Sequence, residues 1–331
     1  MKMLFYDAKP YEKEAFDAVI SKMTGDRPEI DYLASDINLH TVKLARGYDC
    51  VCLFVASDAG KEIIKALADC NVKLILMRCA GVNNIDIETA KKCKISVMRV
   101  PAYSPPAIAE HAIALAFAVN RKIHKAYIRV RENNFSLSGL TGVNFFGKTA
   151  GIIGTGKIGS AMAKICRGIG MNVVGYDMRP NPELDFVRYL ELDELLKVCD
   201  LISLHCPLTE QTYHMINRSS ISKMKSGVIL VNTSRGALIS TEELIGGIRA
   251  HKLGGVGLDV YEEEQPYVFE NREDDILQSS VTARLLSFPN VIVTSHQGFL
   301  TSEALEAISK TTVENAIDFF AGKPKKENTL C

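Results

Sequence analysis

The sequence predicts an α/β protein built from two doubly wound parallel-sheet domains. Three observations predict it. Short apolar runs of strand length alternate with helical patterns along most of the chain, as they do in β-α-β units. One such run, Gly151 to Ile153, ends in Gly154-Thr155-Gly156-Lys157-Ile158-Gly159 and leads into a helical pattern carrying Ala161, Met162 and Ile165. The 331 residues suffice for two domains.

In the first hundred residues, strands are expected at 3–6, 29–33, 50–55, 73–79 and 95–99, with helices at 11–23, 59–68 and 87–92. This half has no phosphate-cradling glycine pattern, so it reads as a substrate or lid domain rather than a second nucleotide site. Its loop 78–86 follows a strand, and small residues there let backbone N–H groups face a carboxylate or simply form a turn. The prolines of Val100-Pro101-Ala102-Tyr103-Ser104-Pro105-Pro106 fix an extended crossing. Tyr103 sits at that crossing, for packing or for substrate contact. A long helix is then expected over 107–131. Its Glu110 and His111 tempt a catalytic reading, but a histidine on so apolar a helix reads better as a packing residue.

The glycine turn opens the second domain. Gly154 makes the tight turn, Gly156 lets a pyrophosphate approach the backbone, and Gly159 lets helix and strand pack closely. The helix start offers N–H groups and a positive dipole end to phosphates. The next apolar run, 172–176, ends at Asp177, about 20 residues after the glycines, where a carboxylate receives ribose hydroxyls and repels a 2′-phosphate. Strand, turn, helix and terminal acid together predict a Rossmann domain that binds NAD rather than NADP.

Further strands are expected at 186–190, 201–205, 228–232, 255–259 and 291–294, with helices at 192–198 and 242–250. Open α/β sheets bind ligands beyond the carboxyl ends of their strands. Cys206-Pro207, Arg235, Asp259 and His296 all follow such ends. A helix over 302–320 returns to the first domain, and the charged remainder 325–327 reads as loose. The expected division is 1–101 with 300–331 for the substrate domain and 102–299 for the dinucleotide domain.

Lys+Arg and Asp+Glu both number 39, which gives no basic signature for nucleic acid or anionic membrane. The longest apolar stretch, 112–119, falls far short of a bilayer span of about 20 residues. Nine scattered cysteines without a C-x-x-C pair read as free thiols of a cytoplasmic protein and offer no metal site.

Arg235, Glu264 and His296 are the candidates for chemistry. Hydride transfer to a carbonyl needs a proton donor at its oxygen, and a histidine supplies one near neutral pH. A carboxylate on the second ring nitrogen fixes the tautomer, and an arginine fork clamps a substrate carboxylate. Each also has an ordinary reading: a salt bridge for Arg235, a solvated acidic run 262–264 for Glu264, a hydrogen-bonded strand-end histidine for His296.

Along nearly its whole length the chain resembles the D-isomer-specific 2-hydroxyacid dehydrogenases. The segments are Gly154–Gly159 with Asp177, His205-Cys206-Pro207-Leu208-Thr209, Val231-Asn232-Thr233-Ser234-Arg235-Gly236, Gly257-Leu258-Asp259-Val260-Tyr261-Glu262 and Ser295-His296-Gln297. The resemblance implies a Rossmann domain inserted in a flavodoxin-like substrate domain. It implies that Arg235 binds the substrate carboxylate and that Glu264 pairs with the proton donor His296. It gives Cys79, Ala80 and Gly81 to the same carboxylate. It puts Lys157, Ile158, Pro207, Thr212, Thr233 and Asp259 at the cofactor, and the adjoining Cys206 and Ser234 are expected on the same side. The long connection 265–289, Tyr103 and Phe299 resemble the branch that reduces pyruvate to D-lactate, with Tyr103 and Phe299 shaping a small substrate pocket. Members acting on bulkier 2-oxo acids, or a non-catalytic NAD-sensing scaffold, are the alternatives. A homodimer or homotetramer is expected.

Overall fold

The computed structural model describes residues 1–82 and 84–331. Asn83, within the loop singled out above, lies outside the described residues. Two compact units divide the chain: Met1–Ser104 with Leu300–Cys331, and Pro105–Phe299.

In the first unit come β1 (Lys2–Phe5), α1 (Pro10–Lys22), β2 (Glu29–Tyr32), β3 (Cys50–Leu53), α2 (Lys61–Asp69), β4 (Leu74–Met77), α3 (Ile87–Lys92) and β5 (Ser96–Arg99). The sheet order is β2-β1-β3-β4-β5, with every pair parallel, the flavodoxin-like order. The expected doubly wound architecture is therefore present. β3 and β4 are buried on both faces, which is why they read as unbroken apolar runs. Immediately after β4, Arg78 is fully buried. Its Nε donates to Glu12 Oε1 at 2.6 Å and its Nη2 to Asp7 O at 3.0 Å. The guanidinium lies between the rings of Phe5 and Phe54.

The second unit begins with α4 (Pro105–Asn120) and α5 (Ile123–Arg131), then β6 (Thr149–Ile153), α6 (Lys157–Gly168), β7 (Asn172–Tyr176), β8 (Arg188–Tyr189), α7 (Leu192–Val198) and β9 (Leu201–Leu204). After these come α8 (Arg218–Lys223), β10 (Val228–Asn232), α9 (Thr241–Arg249), β11 (Leu253–Leu258), α10 (Ser280–Ser287) and β12 (Val291–Val293). The parallel order is β12-β11-β10-β9-β6-β7-β8. The chain winds outward from β6 in one direction through β7 and in the other through β9, so the topological switch point lies between β6 and β9. Helices cover both faces. Leu115 and Val119 of α4 lie so close to β11 that a Cβ at Gly257 or Gly255 would approach them to 2.9 and 2.8 Å.

Two expectations need correction, and one connection contains an element not anticipated. The helix expected over 107–131 is two helices. Lys122 takes a left-handed conformation (φ 52°), and its ammonium donates to Gly139 O and Thr141 O at 2.9 and 3.0 Å. Asn120 is bonded through both amide atoms to the backbone of Val143. Those bonds turn the chain where no glycine or proline marks a stop. The connection 265–289 contains α10, whose N-cap Ser279 accepts from Thr282 N at 3.1 Å. The remainder after α11 (Ser302–Phe320) is tied down. Lys325 Nζ donates to Glu314 Oε2 at 2.9 Å, and Asn328 Nδ2 to Asn315 Oδ1 at 2.7 Å. Leu330 N donates to Val97 O at 2.8 Å, and Val97 N to Cys331 O at 3.1 Å, so the tail pairs with β5.

All nine cysteines are free thiols. Among the described residues no helix is long and apolar enough to cross a membrane, and no cluster of metal-ligating side chains occurs.

Candidate active site

The glycine turn lies at the carboxyl end of β6, beside the switch point. Gly154 adopts φ +89°, and a Cβ there would come within 2.6 Å of Cys206 N, so this position is closed to other residues by the chain leaving β9. A Cβ at Gly159 would meet Gly154 O at 1.8 Å. Gly156 differs. It has φ −65° and caps α6, and a Cβ there would meet nothing within 4 Å. Neither its conformation nor its neighbours require glycine, whereas a pyrophosphate lying against the turn would.

Asp177 follows β7 as expected, but its carboxylate also serves the turn itself. Oδ2 accepts from Thr155 N at 2.6 Å and Thr155 Oγ1 at 3.0 Å, and Oδ1 accepts from Arg179 N at 2.8 Å. Tyr189, not anticipated from sequence, donates its hydroxyl to Thr155 Oγ1 at 3.1 Å. The first-turn N–H groups of α6, at Lys157, Ile158 and Gly159, have no intrahelical acceptors and suit phosphate oxygens.

Across the switch point, the chain leaving β9 carries His205, Cys206, Pro207 and Thr212. Thr212 Oγ1 donates to Pro207 O at 2.7 Å and folds this segment back on itself. Ser234 Oγ donates to Cys206 O at 2.7 Å, joining it to the segment after β10. Thr233 Oγ1 is buried without a hydrogen-bond partner, an arrangement that costs free energy unless a ligand completes it. An open Gly156, an orphaned Thr233 hydroxyl and a helix start on one strand-end rim fit a dinucleotide. His205 bonds through Nε2 to Ser203 Oγ at 2.8 Å, and burial pushes its pKa down to about 4.

Arg235, Glu264 and His296 follow the three neighbouring strands β10, β11 and β12. Asn232 Nδ2 donates to Arg235 O at 2.9 Å, while Arg235 Nη1 donates to Ser234 O at 2.7 Å. Glu264 Oε1 lies 3.2 Å from His296 Nδ1. His296 is left-handed (φ 51°), a conformation rare for a residue with a side chain. Asp259 holds it there. The Asp259 carbonyl accepts from His296 N at 2.9 Å, and its carboxylate accepts from Gln297 N at 2.9 Å and Gly298 N at 2.8 Å. His111 Nε2 and Thr294 Oγ1 complete the Asp259 shell at 3.2 and 2.5 Å. Burial alone would raise the Asp259 pKa, but these donors outweigh it and hold the carboxyl below its ordinary range. His111 thus packs as a hydrogen-bonded residue.

The run 262–264 is not a solvated acidic face. Glu262 bonds His214, Glu263 bonds Ser279, and Glu264 bonds His296. Two aromatic residues stand beside the histidine. Phe269, unremarked in the sequence, has its ring centroid 5.9 Å from that of His296 and packs edge-on against buried Phe299 at 6.3 Å.

Within the first unit, Cys79 Sγ lies 3.2 Å from Gly81 O, and Arg99 Nη1 donates to Ala80 O at 3.0 Å. These contacts pin the small-residue turn after Arg78. Tyr103 is half-buried.

Residues 113–298 match the family described as D-isomer specific 2-hydroxyacid dehydrogenase, NAD binding domain. The chain is 44% identical over 326 residues to a D-lactate dehydrogenase of Escherichia coli, covering 98% of both proteins. Among solved structures it is similar to the apo-structure of D-lactate dehydrogenase from Escherichia coli (TM-score 0.90, 42% identity, 100% of both chains). It is also similar to D-lactate dehydrogenase with NAD+ from Lactobacillus jensenii (TM-score 0.84, 32% identity, 98% of both chains).

Proposed function

Because the chain belongs to the D-isomer-specific 2-hydroxyacid dehydrogenases, whose members are NAD-dependent oxidoreductases, we propose that it reduces pyruvate to D-lactate, reversibly. The carrying observation is the Glu264–His296 pair, 3.2 Å apart, on the rim that also bears Arg235 and the dinucleotide features. The relatives named D-lactate dehydrogenase support this choice of substrate.

NADH held on this rim would supply the hydride taken up by C2 of the keto acid. His296 donates a proton to the 2-oxo oxygen through Nε2, because its Nδ1 is directed at Glu264. Glu264 fixes the tautomer and balances the charge of the imidazolium. The Arg235 guanidinium binds the carboxylate as a two-pronged clamp. In the reverse direction neutral His296 accepts the proton of the lactate hydroxyl. Phe299 limits the pocket beside C3. The turn at Cys79, Ala80 and Gly81, and Tyr103, keep the substrate role that the family resemblance gives them. Gly154, Gly156, Lys157, Ile158, Gly159, Asp177, Cys206, Pro207, Thr212, Thr233, Ser234 and Asp259 are assigned to the cofactor side.

The test is NADH oxidation with pyruvate, 2-oxobutyrate, 2-oxoisocaproate, phenylpyruvate and hydroxypyruvate, with chiral analysis of the product. Highest kcat/KM for pyruvate and a D-product are expected; preference for a bulky acid, or an L-product, overturns the proposal. A cytoplasmic homo-oligomer, dimer or tetramer, is the accompanying reading. Its support is the nine free thiols and the exposed Ile123, Tyr127, Ile128 and Val130 of α5. Light scattering tests the oligomer: a single-chain mass at micromolar concentration would exclude it.

A further inference from the structure

His214 and Glu262 belong to no part of the mechanism above, yet they join three of its segments. His214 Nε2 lies 2.6 Å from Glu262 Oε1. His214 ends the turn after β9 that carries Pro207 and Thr212. It is left-handed (φ 51°), held by a bond from its N–H to Ala237 O at 2.9 Å and by Asn217 Nδ2 on its own carbonyl at 2.9 Å. Ala237 belongs to the short turn that follows Arg235. The other Glu262 oxygen accepts from Thr241 N at 2.8 Å, at the start of α9. Glu262 lies two residues before Glu264, and a Cβ at Gly236 would come within 2.3 Å of Tyr261 C. The turn after Arg235 and the Tyr261-Glu262 backbone are therefore in direct contact. Burial alone would raise the Glu262 pKa; the Thr241 N–H and His214 outweigh it and hold the carboxyl below its ordinary range.

We propose that His214 and Glu262 are positioning residues, a clasp that fixes the cofactor segment 206–214 against the segment carrying Glu264, an inference that rests on the functional reading above. An exposed ion pair of two flexible side chains contributes little. This pair is half-buried, with one partner on a turn held by two further bonds and the other capping a helix.

The test compares His214→Ala, Glu262→Ala, the double variant and Glu262→Gln. The readouts are NADH dissociation constant by fluorescence titration, kcat with pyruvate, and Tm. Each single alanine variant should weaken NADH binding and lower kcat by about tenfold, and the double variant should be no worse than about threefold beyond either, because both changes break one contact. Glu262→Gln should retain NADH binding within about threefold, since the amide oxygen still accepts from Thr241 N and the amide nitrogen stays within hydrogen-bond reach of His214 Nε2. Alanine variants that bind and turn over within about twofold of wild type while Tm falls would reduce the pair to a structural fastening and overturn the proposal; so would losses that add in the double variant. If Glu262→Ala does not fold, His214→Ala and Glu262→Gln decide by the same thresholds. Wild-type protein that binds NADH but reduces no 2-oxo acid would sink the functional reading instead, while the NADH constants still report on the clasp.

Discussion

Glu264 presents Oε1 to His296 Nδ1 at 3.2 Å, and the histidine's backbone N–H is held at 2.9 Å by Asp259 O. One ring nitrogen is thereby committed to the carboxylate, and the ring's base is anchored to the end of β11. Glu264→Gln keeps an acceptor and removes the charge that stands beside the imidazolium. It should lower kcat by about 10–100-fold with NADH affinity nearly unchanged. His296→Gln should cost about 10²–10⁴-fold in kcat, the usual worth of a positioned proton donor. Steady-state kinetics with pyruvate check both, and near-normal turnover in His296→Gln would remove the histidine from the mechanism.

Arg235→Lys retains a positive charge and loses the fork. Its main expected effect is a rise in the KM for pyruvate of about 10–100-fold, larger than the fall in kcat. An unchanged KM would show that the carboxylate binds elsewhere.

The three glycines of the turn separate cofactor binding from folding. Gly159→Ala must displace the Gly154 carbonyl, 1.8 Å from its Cβ, and should lower Tm by several degrees, equivalent to about 1–3 kcal/mol of overpacking. Gly156→Ala meets no protein atom within 4 Å, so Tm should stay put while the NADH dissociation constant rises about tenfold or more. Calorimetry and fluorescence titration on the same samples decide, and NADH affinity unaltered by Gly156→Ala would place the pyrophosphate away from this turn.

Acid should weaken the fold in two stages. His205 has a folded pKa of about 4 against an ordinary value of about 6.5. Between these values the unfolded chain takes up a proton that the folded chain refuses, so this contribution is full above pH 6.5 and declines as pH falls toward 4. Asp259 and Glu262 are depressed carboxyls, so theirs declines at lower pH, through and below the usual carboxylate range. Urea midpoints at pH 7, 5.5 and 4.5 should fall progressively, and His205→Gln should flatten the slope between pH 6.5 and 4. An identical slope in that variant would rule out His205 as its source.

The parts of this molecule legible in the sequence are those written in local pattern. Apolar runs such as Leu74–Met77 and Val228–Asn232 give the strands, and the residues just beyond them give the rim on which Arg235, Asp259 and His296 stand. What escaped is written in contacts between distant residues or in conformations without a residue signature. Lys122 and His214 are left-handed without being glycine, so neither turn announced itself. Glu262 finds His214 48 positions away, and no count of acidic residues distinguishes it from a solvated run. Asp177 was legible as the residue after β7, but its bonds to Thr155 depend on the turn folding back to meet it.

The bonded tail has a consequence for solubility. β5 is the outer strand of the five-stranded sheet, and an unprotected outer strand invites pairing with another chain. Thr329 forms an antiparallel bridge to Met98, and Leu330 and Cys331 saturate Val97 on both its N–H and its carbonyl. Removing residues 329–331 would leave the Val97 N–H and carbonyl unpaired at the sheet edge, and the shortened protein should turn turbid on warming at concentrations the protein with these residues tolerates. Residues 329–331 thus occupy the edge position that a neighbouring strand would otherwise take.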